Sequence, residues 1–194
     1  SPLSYLTQLE LLEMSANQVR DLEPLKRLDR LHALCLNNNP IDSIEALSGL
    51  TKLESLDIFS TLVHDLSPVQ DMIEMKSLCI KYLTVTDLSP LKNMTKMNAL
   101  FLGGNVDVDL DGLSSLTHLE MLHISGSKVN DLQGVENLHS LKELYMSNTE
   151  VKDLSPLSGL TNLRLLEIGN SPIQDFSPLK DIFPNHPQVD FQMN

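Results

Sequence analysis

The chain has 194 residues, 41% of them hydrophobic but only 4% aromatic, with no Trp and a net charge of −12. That charge argues against nucleic-acid binding, which needs clustered Lys and Arg to meet phosphates. No apolar run approaches the roughly 18 residues of a membrane-spanning helix, and no stretch reads as a secretory leader with a basic start and an apolar middle.

Taken in order, the chain repeats every 22 residues, anchored at Leu3, Leu25, Leu47, Val69, Leu91, Leu113, Val135, Leu157 and Leu179. The first repeat, Leu3 to Pro24, places apolar residues at Leu3, Leu6, Leu9, Leu12, Met14, Val19 and Leu22, with Asn17 where its strand turns. Because Ser1-Pro2-Leu3 matches Ser67-Pro68-Val69, the chain opens inside a repeat, and its N-terminal cap is expected to be missing. The Asn17 column continues as Asn39, Thr61, Leu83, Asn105, Ser127, Thr149 and Ser171. These side chains can bond backbone groups left open at a turn, and Leu83 is expected to interrupt the ladder. Each return leg carries Asp21, Asp65, Asp87, Asp109, Asp131, Asp153 or Asp175, with Ser43 in the second repeat. Turn chemistry explains this column better than calcium. Ser67, Ser89, Ser155 and Ser177 each precede a Pro, a pattern that predicts a Ser N-cap, a Pro at the first helical position and a short turn of 3₁₀ type.

The fifth repeat is irregular. Asp107, Asp109, Asp111 and Gly112 spell the opening of an EF-hand calcium loop, yet the twelfth position, which should be a bidentate Glu, is His118. A bulge is expected there rather than a metal, with Val106 or Val108 turning inward in place of Asp107. The ninth repeat decays after Leu179 and Ile182, and Val189-Asp190-Phe191 is expected to add a last covering strand.

Self-similarity at 22 residues with L-x-x-L-x-L-x-x-N is the leucine-rich-repeat signature. It predicts an α/β solenoid, a horseshoe with a parallel β-sheet on the concave face and short 3₁₀ or helical turns on the convex face. One domain should span residues 1–194, with eight repeats over 3–178 and a partial ninth plus C-terminal cap over 179–194. Cys35 and Cys79 share a column two repeats apart, roughly 10 Å at strand spacing, too far for a disulfide.

In each strand, the residues between and beside the inward leucines face out. Of eight aromatics in the chain, Phe59, Phe101 and Tyr145 fall in these outward columns, and Tyr82 lies beside Lys81. Met121 and His123 extend the patch, with Glu143 at its rim. Clustered exposed aromatics mark interaction sites, so these eight residues are the predicted ligand-binding set, for a protein or peptide. His123 would make affinity change near pH 6.5. No catalytic residues are assigned: Cys79 and His123 are two repeats apart, beyond hydrogen-bond reach, and no G-x-S-x-G, H-E-x-x-H or phosphate-binding glycine loop occurs. No cofactor is expected.

The pattern L-x-x-L-x-x-L-x-x-L-x-L-x-x-N-x-I-x-D-L-S-P, followed closely from Leu157 to Pro178, resembles the internalin-type repeats of bacterial surface and secreted proteins. The resemblance covers about nine-tenths of the chain. It implies a secreted or cell-surface adhesion or host-recognition module whose concave face binds proteins through exposed aromatics, at positions matched here by Phe59, Tyr82, Phe101 and Tyr145. The weak Asn column and the lack of a wall-anchoring tail depart from the family. A second resemblance, to the 22-residue repeats of phosphatase-regulating subunits, implies instead an intracellular scaffold or regulatory subunit of an enzyme complex. The Ser-Pro return legs favour the first.

Overall fold

A computed structural model describes residues 2–106, 108–182 and 189–190. One short strand comes from each repeat: β1 (Leu11–Glu13), β2 (Ala33–Cys35), β3 (Ser55–Asp57), β4 (Ser77–Cys79), β5 (Ala99–Phe101), β6 (Met121–His123), β7 (Glu143–Tyr145), β8 (Leu165–Glu167) and β9 (Val189–Asp190). They form one parallel sheet in chain order. Between β1 and β8 the register is constant at 22 residues, as in Leu78 opposite Leu100 opposite Leu122. Backbone N–H groups of each repeat donate to carbonyls of the next, Leu102 to His123 and Ile124 to Tyr145 among them, both at 2.7 Å. A 22-residue turn of chain is too short for helices. The return legs are accordingly single 3₁₀ turns, such as Ser67–Val69, Ser89–Leu91 and Ser155–Leu157. The last strand forms as expected over Val189–Asp190; Phe191 lies outside the described residues.

The leucines of the strand centres fill the interior, with Leu78, Leu100, Leu122 and Leu144 fully buried. In the first repeat Leu3, Leu9, Leu12 and Met14 are only partly buried, because a stacked repeat is covered only by its neighbours.

The return legs correct one detail. The residue before each Ser-Pro turn, Leu66, Leu88 or Leu154, occupies the cap position and makes no side-chain cap bond. The capping acceptor is instead the column Asp two residues before each turn: Asp65, Asp87 and Asp153 each accept the backbone N–H of the following Ser at 2.8 Å. At Ser67 and Ser89 the hydroxyl donates to the same carboxylate. Asp21, Asp109, Asp131 and Asp175 repeat the backbone bond, and Ser43 substitutes with its hydroxyl. The sixth repeat ends with Gly134 at φ +94°, where a Cβ would lie 2.3 Å from the Leu110 carbonyl oxygen. That close approach requires glycine.

The buried polar residues among those described, Asn39, Thr61, Asn105, Ser127 and Thr149, all belong to the turn column. Leu83 does not break the ladder as expected. It is buried, and its N–H donates to Asn105 Oδ1 at 2.7 Å, while Asn105 Nδ2 reaches back to the Ile80 carbonyl at 2.8 Å. Asn105 therefore serves two repeats. In the fifth repeat Val108 turns inward and Val106 stays exposed; Asp107 lies outside the described residues.

Candidate functional site

Alternation along each strand gives three outward rows. The central one runs Glu13, Cys35, Asp57, Cys79, Phe101, His123, Tyr145 and Glu167, held side by side by the constant register. Phe101, His123 and Tyr145 form a continuous row of rings. Phe101 and His123 are 6.4 Å apart and tilted, and His123 stacks on Tyr145 at 5.4 Å with 18° between planes. Met121 lies two residues before His123 on β6, on the same outward side, and is half-buried.

The other predicted aromatics make a second pair. Phe59 and Tyr82 are 5.6 Å apart, with Lys81 Nζ 5.8 Å from the Tyr82 ring centre. Tyr82 is 60% exposed and has φ +53°. The same left-handed turn position is taken by Ala16, Asn38, Ser60, Gly104, Gly126, Asn148 and Asn170 in the other repeats, so the turn sets Tyr82's direction.

Gly103 and Gly104 join the two groups, and sequence reasoning missed them. A Cβ at Gly104 would fall 2.4 Å from Tyr82 Cδ1, and one at Gly103 would fall 2.9 Å from His123 Nδ1 and 2.7 Å from the Ser125 carbonyl oxygen. Tyr82 thus lies over one glycine and His123 over the other. The bare backbone makes a shallow saddle between the rings. The only signal in the sequence was that glycines fall in both columns of one repeat, where Gly126 and Gly169 stand singly in others.

The polar surroundings divide the face. Toward β1, Glu13 accepts from the Ser15 N–H and hydroxyl, bonds that hold its carboxyl below the ordinary value. Asp57 accepts from Asn37 Nδ2 at 3.1 Å and from the Phe59 N–H at 3.0 Å. Toward β8, Tyr145 donates to Glu143 at 2.8 Å, which raises the phenol's pKa. Burial, and then Lys81, push His123 below its ordinary value. Burial raises Cys35, and burial followed by the Asp57 charge pushes Cys79 up to about 11. Both cysteines are free.

In the irregular fifth repeat Asp109 Oδ1 accepts the Asp111 N–H at 2.9 Å, the same bond as in the regular repeats. Among the described residues no group of three His, Cys, Asp or Glu is placed to hold a metal ion. Among the described residues no helix is long and apolar enough to cross a membrane.

No curated protein matches the chain in sequence. A family model for leucine-rich repeats in two copies matches residues 29–71 and 139–181. An internalin (inlF) from Listeria monocytogenes superposes with a TM-score of 0.93 at 33% identity over 100% of this chain. Internalin C2 from the same species superposes at 0.87 with 28% identity over 93% of this chain and 80% of its own. The repeats are leucine-rich repeats of the internalin type. This internalin-type chain spans 57% of the inlF chain. At 16% identity and a TM-score of 0.77, a plant peptide hormone receptor, RGFR1 in complex with RGF2, shares the fold over 93% of this chain and 32% of its own.

Proposed function

We propose that this internalin-type domain is a non-catalytic protein-binding module. Its concave face receives a protein or peptide partner in adhesion or host recognition outside a bacterial cell. The observation that carries the reading is the row Phe101–His123–Tyr145, joined across the Gly103–Gly104 saddle to Phe59 and Tyr82. Aromatic rings ordered against one another give contact area at low entropic cost. These rings, Tyr82 exposed and Phe59, Phe101, His123 and Tyr145 half-buried, make a clustered, partly open apolar surface of the kind that marks an interaction site. Eight strands at about 4.8 Å spacing make a face roughly 38 Å wide, enough for a standard interface of about 800 Å² per partner. The plant receptor, which uses the same fold, is recorded with RGF2 bound.

Chemistry weighs against catalysis. A thiol at about 11 is protonated at neutral pH and is a poor nucleophile, and His123 Nδ1 is buried with no hydrogen-bond partner among the described residues, so none of them orients it as a base.

Partners cross-linked to the folded domain should lose affinity for a Phe101→Ala, Tyr145→Ala variant by about 2 kcal/mol or more, with the fold verified by circular dichroism. Truncating Lys81 should act mainly on association rate and salt dependence. Unchanged affinity of the double variant would move the site off this face.

A further inference from the structure

The outward rows carry four carboxylates, Glu13, Asp57, Glu143 and Glu167, against one cation, Lys81. The ion pairs among the described residues are Lys26–Glu23, Lys76–Glu54, Lys96–Glu74 and Lys142–Glu120. None of them uses a carboxylate of these rows. Lys81 reaches over Tyr82 rather than toward an acid.

The four acids are not equivalent. Glu13 and Asp57 are engaged by Ser15, Asn37 and the Phe59 N–H. Glu143 accepts one bond, from the Tyr145 hydroxyl through Oε2. The Glu167 carboxylate accepts none among the described residues and stands directly across from Tyr145 in the next strand. At the β7–β8 end, then, an aromatic ring lies between two carboxylates with open acceptor capacity, next to the stacked row.

A Lys or Arg side chain fits this arrangement on three counts. Its methylene stem can lie along apolar ring surface while its head reaches water or an acid. Its charge is attracted to the face of a Tyr ring. An Arg fork bonds carboxylates with directional N–H groups. An acidic partner would meet like charge instead.

Resting on the reading of this face as a protein-binding surface, we propose that the partner is a basic polypeptide segment. It sets a Lys or Arg along Tyr145 between Glu143 and Glu167, and an apolar residue against Phe101 and His123. Tyr145 and Phe101 are two strands apart, about 10 Å, which an extended segment crosses in about three residues.

The test uses the folded 194-residue chain and a displayed library of random 12-residue peptides. Peptides selected on the wild-type domain should carry Lys or Arg two to four positions from a large apolar residue. They should bind a Glu143→Gln, Glu167→Gln variant about tenfold more weakly at low salt, and the loss should shrink as salt is raised. Their affinity should also fall on the Phe101→Ala, Tyr145→Ala variant. Peptides that depend on the aromatics yet ignore the Gln pair, or that are enriched in Asp and Glu, overturn the basic-segment proposal while leaving the binding surface intact. Peptides indifferent to both variants, or a library that yields no binder, overturn the surface reading and the proposal with it.

Discussion

Asn105 is the sharpest place to test how the stack is held together. Its side chain is 1% exposed and makes three bonds: from the Leu83 N–H to Oδ1 at 2.7 Å, and from Nδ2 to the carbonyls of Ile80 and Leu102 at 2.8 and 2.6 Å. The Leu102 carbonyl keeps another donor, the Asn105 N–H at 3.4 Å. Asn105→Ala therefore orphans two backbone groups, the Leu83 N–H and the Ile80 carbonyl. A buried unsatisfied polar group costs about 1–3 kcal/mol, so the variant should lose roughly 2–5 kcal/mol, after allowing for partial relaxation. Thr61, which makes a single side-chain bond to the Ile58 carbonyl, is the internal control, and Thr61→Val should cost about 1 kcal/mol. Urea unfolding followed by far-ultraviolet circular dichroism measures both, provided the slope with denaturant is unchanged. Equal losses for the two variants, or a loss under about 1 kcal/mol for Asn105→Ala, would refute the idea that Asn105 carries two repeats.

Gly104→Ala should cost about 1 kcal/mol, because its φ of +78° disfavours a Cβ. It should also displace the Tyr82 ring, seen as loss of the ring-current shift that Phe59 imposes; an unchanged Tyr82 spectrum would count against the saddle. Acidification should destabilise the fold. Asp65, Asp87, Asp153 and Asp175 are lowered by bonds from the Ser that follows, so their contribution is present above about pH 4 and is lost as pH falls through the folded values. Asp87→Asn should flatten the decline of melting temperature between pH 5 and pH 3. His123 is also lowered, so its neutral form favours the fold: its contribution is complete above about pH 6.5 and fades below it. His123→Phe should reduce the slope of stability over pH 5 to 6.5.

How much of this was legible in the sequence depends on which physical quantity carries each feature. The solenoid was readable because a constant 22-residue register is itself the fold, and Leu78, Leu100 and Leu122 align in the sheet as they do on the page. The Asp column was readable as turn chemistry because a carboxylate two residues before an N–H is a local relation. Capping of the Ser-Pro turns was misplaced by two residues, since both Asp and Ser are good acceptors and only geometry chooses between them. The compensation of Leu83 by Asn105 spans 22 residues and could not be read from a column taken one repeat at a time. The aromatic row followed from strand alternation. Its junction at Gly103 and Gly104 did not, because what those residues contribute is an absence of side chain, visible only beside the rings of Tyr82 and His123.

The direction of the backbone bonds has a mechanical consequence. Ladder bonds such as Leu102 N–H to the His123 carbonyl and Glu120 N–H to the Asn98 carbonyl lie along the stack, joining each repeat to its neighbours. Tension applied between the two ends of the stack therefore loads these bonds a few at a time, peeling rungs in turn rather than shearing a long row at once. Each rung that yields frees 22 residues, roughly 70–75 Å of extended chain. Under load the molecule should lengthen in equal steps at modest force, so a grip on the sheet face would be surrendered repeat by repeat.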